Sequence, residues 1–275
     1  MIFKSSLFLS LIFFNLLTCA ADVPALPEVP AKSFFNQAVV GFQVINFRYT
    51  EPGLISDSGF LFGIFGETRF AISKSITGII NADLASGTLD YNGSLCSVAS
   101  GACTDYSAKT QDVILHITQR FDFEISEKVS LFIGPGFRVL IDKGVGNGFY
   151  TRFGTYLYAP LGITFQLPRG EEKYFLDLEY DLFLRGTMKS KLSETNSRFS
   201  DVNHTQTNGS GLRISLKQQT KIYERSVLFS LFYENWFVGD SDVQPLVVDG
   251  VPSGNFFIEP KNFTNVVGLG LELNF

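Results

Sequence analysis

Between residues 112 and 125 apolar and polar side chains alternate, and a period of two dictates an extended strand with two unlike faces. Val113, Leu115, Ile117, Phe121, Phe123 and Ile125 fall on one face, interrupted only by Gln119. Asp112, His116, Arg120, Asp122 and Glu124 fall on the other. Residues 174–185 repeat the pattern, with Tyr174, Leu176, Leu178, Tyr180, Leu182 and Leu184 set against Asp177, Glu179, Asp181 and Arg185.

Alternation alone admits two architectures. In a soluble sandwich the apolar face packs in a core and the charges meet water. In a membrane-spanning barrel the apolar face meets lipid and the charges line the bore. The chain is 45% hydrophobic and 15% aromatic, yet its one long apolar run lies at the extreme N-terminus. The remaining apolar residues are therefore spread by alternation, and composition by itself leaves both architectures open.

The connections separate them. Strands are expected at 38–49, 59–73, 76–90, 110–125, 129–142, 149–166, 174–189, 211–222, 226–238 and 263–275. The stretches 74–75, 126–128, 167–173 and 223–225 are short, whereas 91–109, 190–210 and 239–262 are long and polar or rich in Gly and Pro. Short turns at one end and long loops at the other, on an even number of strands, is the arrangement of a spanning barrel. A sandwich has no reason to sort its loops in this way. The expected fold is all-β, a single antiparallel transmembrane barrel of ten strands over residues 38–275, with eight or twelve strands as alternatives.

Residues 1–21 read as a secretory signal. Lys4 supplies the positive charge, residues 7–17 form a short apolar core, and Cys19, Ala20 and Ala21 are small residues before a cleavage site. The core is too short for a spanning helix. A lipoprotein signal would place a small residue before the cysteine, where Thr18 stands. Residues 22–37 carry Pro24, Pro27 and Pro30 at a spacing of three and read as an extended tether. Export also frames Cys96 and Cys103, an even pair seven positions apart in a Gly- and Ser-rich stretch, as a local disulfide. Two thiols without a nearby His make a poor metal site.

The formal charge of −5 argues against a nucleic-acid partner. The residues expected to face the bore are Glu67, Arg69, Asp83, Asp112, His116, Arg120, Asp122, Glu124, Arg138, Arg152, Asp177, Glu179, Asp181, Arg185, Arg213, Lys217 and Glu234. Buried charge is costly unless paired or wetted, so these should pair across strands or line water. Ten strands permit either a plugged barrel or a narrow pore.

The last ten residues read VVGLGLELNF, with Val267, Leu269, Leu271, Leu273 and Phe275 alternating on one face and an aromatic residue at the end. This resembles the C-terminal assembly signal of bacterial outer-membrane β-barrels. The stretches 233–241 (YENWFVGDS) and 259–275 look like pieces of small barrels of that class. The resemblance implies an outer-membrane location, contact with outer-membrane lipids and lipopolysaccharide, and delivery by the barrel-assembly machinery. It implies no cofactor, and no phosphate-binding loop, metal cluster or nucleotide fingerprint is found in the sequence.

Function then divides among three classes. A structural barrel or small porin-like channel would pass small polar solutes through the bore. A surface adhesin would touch host molecules through the long loops. A hydrolase would need one of only two histidines. His116 shares a face with Asp112, but a hydrogen-bonded network in a narrow bore accounts for both. An omptin-like protease needs an Asp–His pair and a second Asp pair at the outer rim. Asp201 and His204 imitate the first, without the surrounding motifs. Residues 204–211 (HTQTNGSG) faintly resemble the outer-membrane phospholipases, with Gln206 where the family has Ser. A non-enzymatic barrel is the expectation.

Overall fold

The computed structural model describes residues 37–96, 102–146, 148–169, 172–222 and 225–274. The proposed signal, most of the tether and Phe275 lie outside them. Fourteen strands occur among the described residues: β1 (Gln37–Glu51), β2 (Ile55–Ala71), β3 (Ile76–Cys96), β4 (Cys103–Ser126), β5 (Val129–Ile133), β6 (Gly136–Val145), β7 (Thr151–Arg169), β8 (Glu172–Ser190), β9 (Val202–Gln206), β10 (Gly209–Ile222), β11 (Arg225–Val238), β12 (Gln244–Val248), β13 (Val251–Phe257) and β14 (Asn262–Asn274).

Twelve of them form one antiparallel sheet that closes on itself. β5 and β6 together make one wall, and β9 adds to the far end of β8, so the ring has ten walls. Closure comes from β1 and β14, where Phe42 faces Leu271 and Val44 faces Leu269. A closed ring leaves no unpaired edge within a membrane, where an unsatisfied backbone group has no water to turn to.

Side chains obey the period of two. On β1 Val40, Phe42 and Val44 point outward, while Gln43, Ile45, Phe47 and Tyr49 are buried inside. Outward residues such as Phe42, Phe62 and Leu269 are 60, 63 and 62% exposed, an apolar belt that only lipid can cover. Val267, Leu269, Leu271 and Leu273 of the expected assembly signal all lie on this belt.

The strands run on past the belt, and there the polarity inverts. Asn46 and Arg48 on β1, Thr88 and Asp90 on β3, and Lys109 and Gln111 on β4 are exposed outward. Their inward neighbours Phe47, Tyr49, Leu89, Thr110 and Asp112 are buried. This upper section has a polar exterior, and β3 and β4 reach Cys96 and Cys103, well into the stretch expected to be loop. The register sets those two cysteines directly opposite each other.

Two turns show why the chain reverses where it does. Between β1 and β2, Pro52 and Gly53 occupy the centre of a turn closed by Leu54 N–H to the Glu51 carbonyl at 3.0 Å, and the φ of +77° at Gly53 requires glycine. Between β12 and β13, Asp249 and Gly250 take φ of +51° and +79°, the two-residue hairpin turn favoured by Asp-Gly. The strand expected at 129–142 is split at Gly134 and Pro135. There Gln119 N–H bonds to the Pro135 carbonyl and Gly134 N–H to the Pro160 carbonyl. A Cβ at Gly134 would lie 1.8 Å from the Gln119 oxygen, so the break depends on glycine.

Candidate functional site

The bore is filled in layers. At the short-turn end lies an open polar vestibule of about 320 Å³. Its charges are paired side by side on the strands: Arg69 Nε with Glu67 at 2.6 Å, Arg120 with Asp122 at 2.8 Å, and Lys217 Nζ with Asp177 at 3.3 Å. Asp177 also accepts hydrogen bonds from Thr164 and Ser215 at 2.7 and 3.1 Å. Cross-strand registers explain the set, because Arg213 faces Glu179 and Ser215 faces Asp177 across β8 and β10.

Above it lies a second charged layer. Arg138 Nε donates to His116 Nε2 at 2.9 Å, and His116 Nδ1 faces Asp83 at 3.5 Å. Arg213 reaches Glu234 at 3.2 Å, and Trp236 Nε1 donates to the same carboxylate at 2.8 Å. The Arg138 guanidinium lies 5.3 Å from the centroid of Trp236 and 5.6 Å from that of Tyr156. A cavity of about 90 Å³ opens within this layer and shares lining residues with the vestibule.

An apolar cluster fills the bore above this layer. Ile45, Phe47, Leu61, Leu89, Ile114, Leu140, Phe232 and Val266 pack into one buried cluster across it. Burying these side chains contributes roughly 1.5–3 kcal/mol each. Sequence reading placed apolar side chains on the lipid face and missed this inner layer. The same alternation serves both, and what changes is the height at which the outside turns from lipid to water.

Beyond the seal, five carboxylates surround one guanidinium. Arg152 contacts Glu51, Glu259 and the Tyr49 hydroxyl, and lies 3.8 Å from Asp142. Asp112 faces Asp142 directly across β4 and β6, and Thr110 bonds to Asp57 at 3.4 Å. Burial pushes the Glu259 carboxyl up to about 7; Arg152 opposes this and Glu51 adds to it. Among the described residues no group of three His, Cys, Asp or Glu side chains is placed to hold a metal ion.

The long loops cover this end. His204 on β9 is buried, and its Nδ1 lies 3.2 Å from Ser241 Oγ and 3.3 Å from the Asp242 carbonyl. Ser241 in turn donates to the Asp242 carbonyl at 2.7 Å and accepts from Glu259 N–H at 2.8 Å. Through Ser241 and the Asp242 carbonyl, His204 ties two loops together. Burial lowers its pKa, which keeps the ring neutral. Asp201 is not brought to His204. It bonds to Ser193 and Lys189, and the Ser193 hydrogen bond holds its carboxyl below the usual range.

One residue expected in the bore is elsewhere. Arg185 is exposed outside, because a bulge makes Leu157 pair with Arg185 and Tyr158 with Phe183, leaving Leu184 as an extra residue. The other predicted bore charges line the cavities and the layers between them, with Glu124 at the open mouth. Glu51, Asp57 and Glu259 were not among them, since each sits in or beside a stretch assigned to a turn or loop. Asp142 was legible, since it shares the face of Arg138.

No family model matches this chain, and no curated protein matches it in sequence. Solved structures do match in fold. The outer membrane protease OmpT from Escherichia coli is 9% identical, with a TM-score of 0.57 over 89% of this chain and 99% of that one. The translocator domain of the autotransporter NalP from Neisseria meningitidis is 10% identical, with a TM-score of 0.42 over 88% of this chain and 89% of that one. The P. putida toluene transporter TodX is 9% identical, with a TM-score of 0.37 over 88% and 90%. The fold is that of bacterial outer-membrane β-barrels, and these neighbours have no common activity.

Proposed function

We propose that this outer-membrane barrel is sealed towards the cell exterior and works through its outer surface, as a structural and surface-contact protein. The short-turn end and both termini face the periplasm, and the long loops face outward. The carrying observation is the apolar layer of Phe47, Leu61, Leu89 and Phe232 across the bore, backed by the Arg152 layer above it. A passive channel for polar solutes needs a wetted path, and this layer supports a closed bore. Purified protein in planar bilayers is expected to give no conductance steps. Stable ion-conducting steps would reject the reading.

The outer surface favours contact with other molecules. The hairpin of β12 and β13 is held to the neighbouring loop by Arg198 with Asp249 and by the bridge of Phe199 to Val248. It leaves Val251 and Phe256 exposed. Host surface molecules are the partners such a rim would meet. Replacing residues 244–258 by a short Gly-Ser turn is expected to abolish cell or matrix binding while the barrel still forms. Unchanged binding would remove the adhesin reading. The engagement of both histidines in clamps supports a protein without hydrolase activity. Export with removal of residues 1–21 belongs to the same reading.

A further inference from the structure

Among the described residues, the charged layer below the seal contains a buried carboxylate oxygen without a partner, on Asp181. Asp181 is 2% exposed, and its Oδ1 has no hydrogen-bond partner. The two nearby guanidiniums are engaged elsewhere: Arg213 with Glu234, and Arg138 with His116 and the faces of Tyr156 and Trp236. Across β8 and β10 Asp181 faces Gly211, which in turn faces Trp236 on β11. A Cβ at Gly211 would fall 2.6 Å from Asp181 Oδ2 and 2.9 Å from the Trp236 ring. Glycine there leaves a cradle in which the carboxylate and the indole meet.

Tyr158 completes it, edge-on to Trp236 with centroids 5.0 Å apart. Asp181, Tyr158 and Trp236 line the same cavity of about 90 Å³, which shares Glu67, Arg120, Asp177 and Lys217 with the open vestibule. The way in is from the short-turn mouth, and the apolar layer is the roof. A buried carboxylate lacking a donor, flanked by two aromatic rings at the end of a wet passage, has the chemistry that recognises an organic cation.

We infer that this blind pocket binds a primary alkylammonium group, with the ammonium on Asp181 and its alkyl chain against Tyr158 and Trp236. A primary ammonium brings both the missing positive charge and the N–H donor that Oδ1 requires. A quaternary ammonium would bring charge without a donor. A neutral alcohol would bring a donor without charge. The inference does not depend on the surface-contact reading, because the pocket opens at the opposite end of the barrel.

Trp236 is the only tryptophan in the chain, so its fluorescence reports on the pocket directly. Full-length barrel in detergent is titrated with n-propylammonium, with 1-propanol and tetramethylammonium as comparisons. The expected result is a saturable change with n-propylammonium that is at least about tenfold weaker with either comparison and in Asp181→Asn, the scale of one charge-assisted hydrogen bond. Heat-modifiable migration verifies that the variant is folded. If Asp181→Asn does not fold, Gly211→Ala, which fills the cradle, is expected to weaken binding similarly. No saturable change, an equal response to 1-propanol, or undiminished binding in the folded variants would overturn the inference and leave Asp181 as a structural group.

Discussion

Arg138 and His116 lie directly opposite each other on β6 and β4, and the Arg138 Nε–H donates to His116 Nε2 at 2.9 Å inside the closed barrel. Arg138 is 1% exposed, and its Nη2 has no partner. The histidine is thus the guanidinium's principal hydrogen-bond acceptor. His116→Ala is expected to destabilise the barrel by roughly 3 kcal/mol, the scale of stranding a buried charge. Urea titration of the folded, fast-migrating form measures it. A shift near zero would mean that water replaces the imidazole without loss.

The seal predicts how a pore can be made. Phe47 and Leu61 are fully buried in the apolar layer. Phe47→Ala combined with Leu61→Ala is expected to cost about 5–10 kcal/mol in sum and to give conductance in planar bilayers where the parent gives none. A folded double variant that stays silent would move the barrier to the Arg152 layer.

Glu259 makes the cover pH-sensitive. It lies in the loop before β14, and its pKa is raised to about 7 in the folded protein against 4.5 for the free side chain. Between those values the folded state holds a proton that the unfolded state has lost, so stability falls as pH rises through this window. Proteolysis within residues 239–261 is expected to accelerate between pH 5 and pH 8. Glu259→Gln should flatten that profile, and a pH-independent parent would contradict the assignment.

Cys96 and Cys103 are register partners at the tip of β3 and β4. A disulfide is expected, detected as two thiols of the exported chain that resist alkylation until reductant is added. Reduction should leave the heat-modifiable migration unchanged, because the tip stands beyond the ring. Ready alkylation without reductant would exclude the bond.

Gly134→Ala should damage the wall between β4 and β7. Its Cβ would press on the Gln119 carbonyl at 1.8 Å, a backbone atom held in the sheet. A loss of about 2–4 kcal/mol is expected, again by urea titration. A neutral effect would show that the break at Pro135 can shift to accommodate the methyl group.

The polarity pattern of the sequence determined the ten walls and the two faces of each, because an extended strand places alternate residues on opposite sides wherever it occurs. Even the β12–β13 hairpin had its signal in Asp249 and Gly250, flanked by Val247, Val248 and Val251. Period two carries no information about height or neighbours, however. Only the tertiary structure decided that Phe47 and Leu61 meet as a seal while Phe42 and Phe62 meet lipid, since that depends on where the outer surface passes from hydrocarbon to water. It also decided that Arg185 turns outward at a bulge and that Gly211 leaves Asp181 room beside Trp236. Those outcomes depend on register and closure, which join residues far apart in the chain through backbone hydrogen bonds that no local pattern specifies.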